Sequence, residues 1–178
     1  MKCVLTMILV VAVLGAGALL YVWSGSYNIA ATEPHWTVTS ALIEMLRDRS
    51  VAARSDGIKA PDLNEPQLKE AAFSHYHEMC RLCHGAPAYP PEEFARGFYP
   101  APPSMMSGHI QAELGEAELY WIVKHGLKMT GMPAFGPTHD EKELWGLVAL
   151  AKEMPQTSPA QYRQRVEAEQ ASEHEHTH

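Results

Sequence analysis

Cysteine is scarce in this 178-residue chain, which holds only Cys3, Cys80 and Cys83. Two of the three stand in one short motif, so no disulfide framework can be assembled from what is left. Basic residues are also in the minority: fourteen Lys and Arg stand against twenty-one Asp and Glu, for a net charge of −7. No basic stripe is available to meet phosphates, which speaks against nucleic acid as a partner. The alternating pattern of half-buried strands is missing, as is any internal repeat, so the chain reads as all-α.

Long apolar runs are limited to one. Residues 4–23, VLTMILVVAVLGAGALLYVW, carry no charge. About 20 residues rising 1.5 Å each span roughly 30 Å, the thickness of a bilayer's hydrocarbon core. Lys2 and the terminal amine precede the run and the next charge is Glu33, so the positive-inside rule puts the remainder of the chain outside the cytoplasm. Residues 1–23 are therefore expected to be a single-pass anchor in the cytoplasmic (inner) membrane, with the C-terminal part on the periplasmic side. The rival is a signal peptide cut at Ala16-Gly17-Ala18, which would leave Leu19-Leu20-Tyr21-Val22-Trp23 exposed at a new terminus.

Residues 24–65 form a membrane-proximal segment. Within it Val38, Leu42, Met45 and Leu46 recur at helical spacing, predicting an amphipathic helix over 36–54 that packs on its own domain, on the membrane surface or on a partner. Pro66 suits the first turn of a second helix, with Asn64 as candidate cap, and that helix runs through Leu68, Ala72 and Tyr76. Residues 86–108 are rich in Pro and Gly. Helical period resumes over 112–124 and again from about Asp140 to Pro155, closing a domain at 66–155. The polar tail 156–178 is helical in pattern around 159–171. Its His174, His176 and His178 alternate in a way that suits a divalent metal, although a solvated terminus is the plainer reading.

The chemistry concentrates in Cys80-Arg81-Leu82-Cys83-His84, a C-x-x-C-H motif that reads as a covalent haem attachment site. Positions i, i+3 and i+4 share a helix face, so two thiols can add to the two vinyl groups of one haem while the imidazole reaches the iron. Gly85 lets the helix stop there. A thioredoxin-like dithiol needs a βαβ context that is missing, and no second Cys or His pair completes a zinc site. The sixth iron position decides between electron transfer and catalysis. Met132, in Gly131-Met132-Pro133-Ala134-Phe135, is the candidate, because a thioether is a soft neutral ligand and the flanking Gly and Pro fix a loop. Met129 is its competitor; Met105 and Met106 are weaker alternatives.

With these motifs in order, the chain resembles the class I cytochromes c over about 66–154. Ala72 stands eight residues and Tyr76 four residues before the first cysteine. Cys80-Arg81-Leu82-Cys83-His84-Gly85, Leu119-Tyr120-Trp121-Ile122, the Met132 loop and Leu144-Trp145-x-Leu147-Val148 then follow in sequence. The resemblance implies a cytochrome c-like helical domain around one covalent haem c, its first and last helices crossing so that Ala72 and Tyr76 meet Trp145 and its neighbours. It also implies a proline carbonyl that orients His84, for which Pro90 and Pro91 are the nearest candidates in a loop lacking the usual G-x-G-P wording.

The leading functional expectation is a membrane-tethered one-haem electron carrier, not itself an enzyme. It would serve membrane-bound or periplasmic redox proteins of a respiratory system, alone or as a complex subunit. The alternative is a haem enzyme or a gas or redox sensor with a displaceable sixth ligand, for which His75, His77, His109, His125 and His139 are conceivable distal groups.

Overall fold

A computed structural model describes residues 1–175; His176, His178 and the side chain of His174 lie outside the described residues, and with them the histidine pattern of the tail. The chain divides into two compact units, Met1–Pro34 and the remainder from His35. The first holds α1, Lys2–Trp23, a helix long and apolar enough to cross a membrane, with no residue buried in the protein.

The second unit is built from α2 (Thr37–Ser55), α3 (Pro66–His75), α4 (Arg81–His84), α5 (His109–Glu113), α6 (Glu116–His125), α7 (Glu141–Glu153) and α8 (Pro159–Glu175). Short 3₁₀ turns lie at Glu93–Gly97, Met105–Ser107 and Met154–Gln156. Among the described residues there is no strand, only an isolated bridge between Ala86 and Tyr89. The architecture is all-helical, as the patterning predicts.

Local chemistry sets the helix starts. Pro66 occupies the first turn of α3, where its missing N–H leaves nothing unpaired. At α7, Asp140 Oδ1 accepts from the Glu143 N–H while Glu143 Oε2 accepts from the Asp140 N–H, both at 2.9 Å, a reciprocal cap. Ser158 and Gln161 make the same exchange at the start of α8, over 3.3 and 2.8 Å.

The frame of the domain is the crossing of α3 and α7. Ala72 is fully buried, and a Cβ placed on Gly146 would lie 2.6 Å from the Ala72 Cβ and 2.5 Å from the Leu68 carbonyl oxygen. The small residue at 72 thus meets Gly146, the neighbour of Trp145, and the two backbones approach as closely as helices can. Trp145 itself stacks on Tyr120 of α6, with ring centroids 4.2 Å apart. One apolar cluster gathers Leu68, Leu119, Leu144 and Val148 on that side; a second gathers Phe73, Tyr76, Leu147 and Leu150 on the other.

Two elements are helical as expected, and their packing settles points that the sequence left open. The tail, read as polar, carries α8, whose Tyr162 and Val166 are buried in the second cluster. Removing those two side chains from water contributes on the order of 3 kcal/mol. In α2 the side chains that pack inward are Val51 and Ser55, whereas the predicted apolar stripe faces outward: Val38, Leu42, Met45 and Leu46 are 70, 59, 57 and 71 % exposed.

Candidate functional site

α3 does not end cleanly at His75. Tyr76–Cys80 widen into a single π-helical turn before α4 resumes over Arg81–His84, and such one-turn bulges gather at functional positions. Gly85 then leaves the helix at φ +72°, a region that disfavours a side chain; a Cβ there would also lie 2.9 Å from the Met106 methyl and 3.1 Å from the Pro91 ring. The buried Tyr76 hydroxyl donates to the Gly85 carbonyl over 3.0 Å, clasping the two ends of the motif. Arg81 fixes the outer side: its Nε donates to the His77 carbonyl at 3.0 Å and its guanidinium pairs with Glu92 at 3.0 Å.

His84 is oriented by a carbonyl, but not the one expected. Its Nδ1 lies 2.8 Å from the Pro103 oxygen. The expected suppliers, Pro90 and Pro91, do not hold that bond; the Pro91 ring packs against Gly85 instead. The physical reason is the path of the loop: Ala86 and Tyr89 exchange two 2.8 Å backbone bonds, which turns the chain sharply and carries the nearby prolines past the imidazole. Pro103 arrives only on the return leg. A carbonyl can only accept, so Nδ1 carries the proton and Nε2 is left with its lone pair. Burial, partly offset by that hydrogen bond, holds the imidazole below its ordinary pKa, in the neutral form that binds a metal.

The two thiols differ. Cys80 packs against the core, and burial, reinforced by Cys83, pushes its pKa up to about 12. Cys83 is more open, and burial raises its pKa as well. A catalytic dithiol needs the opposite, a lowered value that supplies thiolate at neutral pH. This pair lacks that lowered value, and its place beside His84 fits the covalent attachment of a haem.

The Met132 loop is tied down at both ends. Leu127 N–H donates to the Met132 carbonyl at 3.2 Å, and Met132 N–H donates to Thr130 Oγ1 at 3.1 Å. Phe135 and Gly136 N–H groups cap the Val123 and Lys124 carbonyls at the end of α6, at 3.1 and 2.9 Å. Gly131 lies flat against the Phe98 ring. Within this loop Met132 is half-buried, whereas Met129 is 89 % exposed on a positive-φ backbone. Met105 is buried in the core, and Met106 brings its methyl to Gly85, next to the motif.

The histidines named as alternative distal groups are engaged with other rings. His75 and His139 pack edge to face at 4.9 Å, His125 packs against Trp121, and His77 places Nδ1 3.1 Å from the Tyr162 hydroxyl among Phe73 and Tyr89. His109 is exposed beside Glu113. His75 Nδ1 and His139 Nε2 are buried without a hydrogen-bond partner. No cluster of three or more metal-ligating side chains occurs among the described residues. Sequence reasoning missed Pro103, the Tyr76 hydroxyl bond and the His77–Tyr162 contact, all of which depend on how distant segments return to the motif.

Residues 67–150 match the family model described as cytochrome c oxidase, cbb3-type, subunit III. No curated protein and no solved structure gives a match to this chain.

Proposed function

We propose, from the match of residues 67–150 to a cytochrome c-type family model, that this chain is a membrane-tethered, one-haem electron carrier working as a subunit of, or beside, a membrane oxidoreductase. The observation that carries the reading is the set Cys80, Cys83 and His84, with Nδ1 of His84 engaged by Pro103 and Nε2 left to bind. In this reading Cys80 and Cys83 would hold the group through two thioethers, and His84 and Met132 would hold its iron. When bound, the group supplies a one-electron couple; no substrate bond is broken.

The remaining roles belong to the chain. Pro103 holds the imidazole in one tautomer and raises its basicity. The Tyr76–Gly85 bond keeps the motif's carbonyl end from moving. The apolar cluster that takes in Tyr76, Ala86 and Cys80 disfavours added charge, which together with imidazole–thioether ligation favours a high reduction potential. Cys80 packs against the core and Cys83 does not, so electrons enter and leave at the group's edge on the Cys83 side.

The name of the matched family supports a subunit role in a respiratory complex. α1 supports tethering in the inner membrane with the domain on the periplasmic side, as the charge asymmetry of the terminus also does. The test is chemical. The chain, produced with the c-type maturation machinery, is denatured and extracted with acidified organic solvent. Pigment that stays with the polypeptide, at one haem of added mass and lost in Cys80→Ser plus Cys83→Ser, is the expected result. Pigment released from the unsubstituted chain overturns the reading.

A further inference from the structure

We propose that α2 is a membrane-surface helix that rests its apolar stripe on the bilayer while its last turns dock on the haem domain, so fixing the orientation of that domain over the lipid. The proposal rests on the reading of α1 as an anchor. Val38, Leu42, Met45 and Leu46 lie within one exposed stripe, at spacings of three, four and seven residues. The inward contacts of the same helix are Val51 and Ser55, nine residues beyond Leu42 and Leu46 respectively. At 3.6 residues per turn, nine residues are two and a half turns, so each inward residue is diametrically opposed to an outward one. α2 thus docks through its last turns, while residues 41–49 are exposed all round and carry the apolar stripe on the side away from the docked one.

Charge and chain length say what covers the stripe. Its one charged member is Arg49, seven residues on from Leu42, while Glu44, two residues from Leu42, points to the far side and Asp48 stands at the stripe's edge, three residues from Met45. An arginine among leucines can lay its stem on acyl chains and its guanidinium among phosphates, whereas carboxylates on that face would be repelled by an anionic lipid surface. The connection from α1 to α2 is residues 24–36, thirteen residues, which reach at most about 45 Å fully extended. With α1 in the bilayer, a lipid surface is always within reach of α2. Amphipathic helices with one apolar stripe and low overall hydrophobicity lie in such surfaces.

The test uses the full haem-loaded chain reconstituted into vesicles of phosphatidylethanolamine and phosphatidylglycerol. A benzophenone amino acid is placed singly at Leu42, Leu46 or Glu44, and at Val11 of α1 as reference, and adducts are read by mass after illumination. Lipid adducts at 42 and 46 that approach those at 11, and exceed those at 44 severalfold, are the expected result. Chain-to-chain adducts at 42 and 46 assign the stripe to a second copy and overturn the proposal. Lipid adducts at 11 with none at 42 and 46 also overturn it, and leave the anchor standing. Lack of lipid adducts at 11 overturns the anchor and, with it, the docking of α2.

Discussion

At the scale of single residues, the site depends on groups that hold the ligands more than on the ligands' own surroundings. Tyr76→Phe removes the hydroxyl that donates to the buried Gly85 carbonyl. Leaving such an acceptor unpaired costs about 1–3 kcal/mol, and denaturant unfolding of the haem-loaded chain should show a loss of that size with an unchanged m-value. The methionines separate by absorbance. Met132→Leu should abolish the sulfur-to-iron band of the oxidised protein and open the reduced iron to carbon monoxide, while Met129→Leu leaves both untouched, its side chain being almost wholly in solvent. Met106→Leu is the control that matters most, because that methyl sits beside Gly85. Loss of the band there instead would move the distal role to the Pro-rich loop.

Among the helices, the α3–α7 crossing and the seat of α8 carry the architecture. Gly146→Ala gains about 1 kcal/mol in helix propensity but places a Cβ 2.5 Å from a backbone oxygen that cannot swing aside. Overpacking of that kind costs about 1–3 kcal/mol, so the net effect is destabilising; adding Ala72→Gly should recover only part, since the Leu68 carbonyl is still there. At α8, burial and the Arg81 charge, opposed by Glu78, lower the His77 pKa from its ordinary 6.5. A base lowered in the folded state binds more protons when unfolded, so stability is complete above about pH 6.5. It declines as the pH falls below that, levelling once the folded-state value is passed. His77→Gln should flatten this acid-side slope in a pH series of denaturant melts. The elements also show where sequence reading succeeds. Helix positions were legible because the 3.6-residue period is local, and the haem-binding reading because the motif spans five residues. Pro103 was not, since it stands nineteen positions beyond His84, across a Pro-rich loop. Tyr162 and Val166 were missed because two apolar contacts in a polar tail make no stripe.

For the molecule as a whole, the decisive quantity is whether α1 stays in the bilayer. Its eleven Leu, Ile and Val residues, none buried in the protein, favour insertion by roughly 3–7 kcal/mol, against about 2.5–3.5 kcal/mol lost for each arginine placed near the centre. One substitution, Val11→Arg, should therefore weaken the attachment without abolishing it, and Val11→Arg combined with Leu14→Arg should release the chain into the soluble fraction after an alkaline wash. The unit from His35 onward has its own core, so the released chain should keep its haem and its melting profile. Retention of the doubly substituted chain in the membrane pellet, or a native chain of which the mass begins at Leu19, would mean that something other than α1 holds the protein there. The exposed stripe of α2 would then have to be the attachment itself rather than a brace for it.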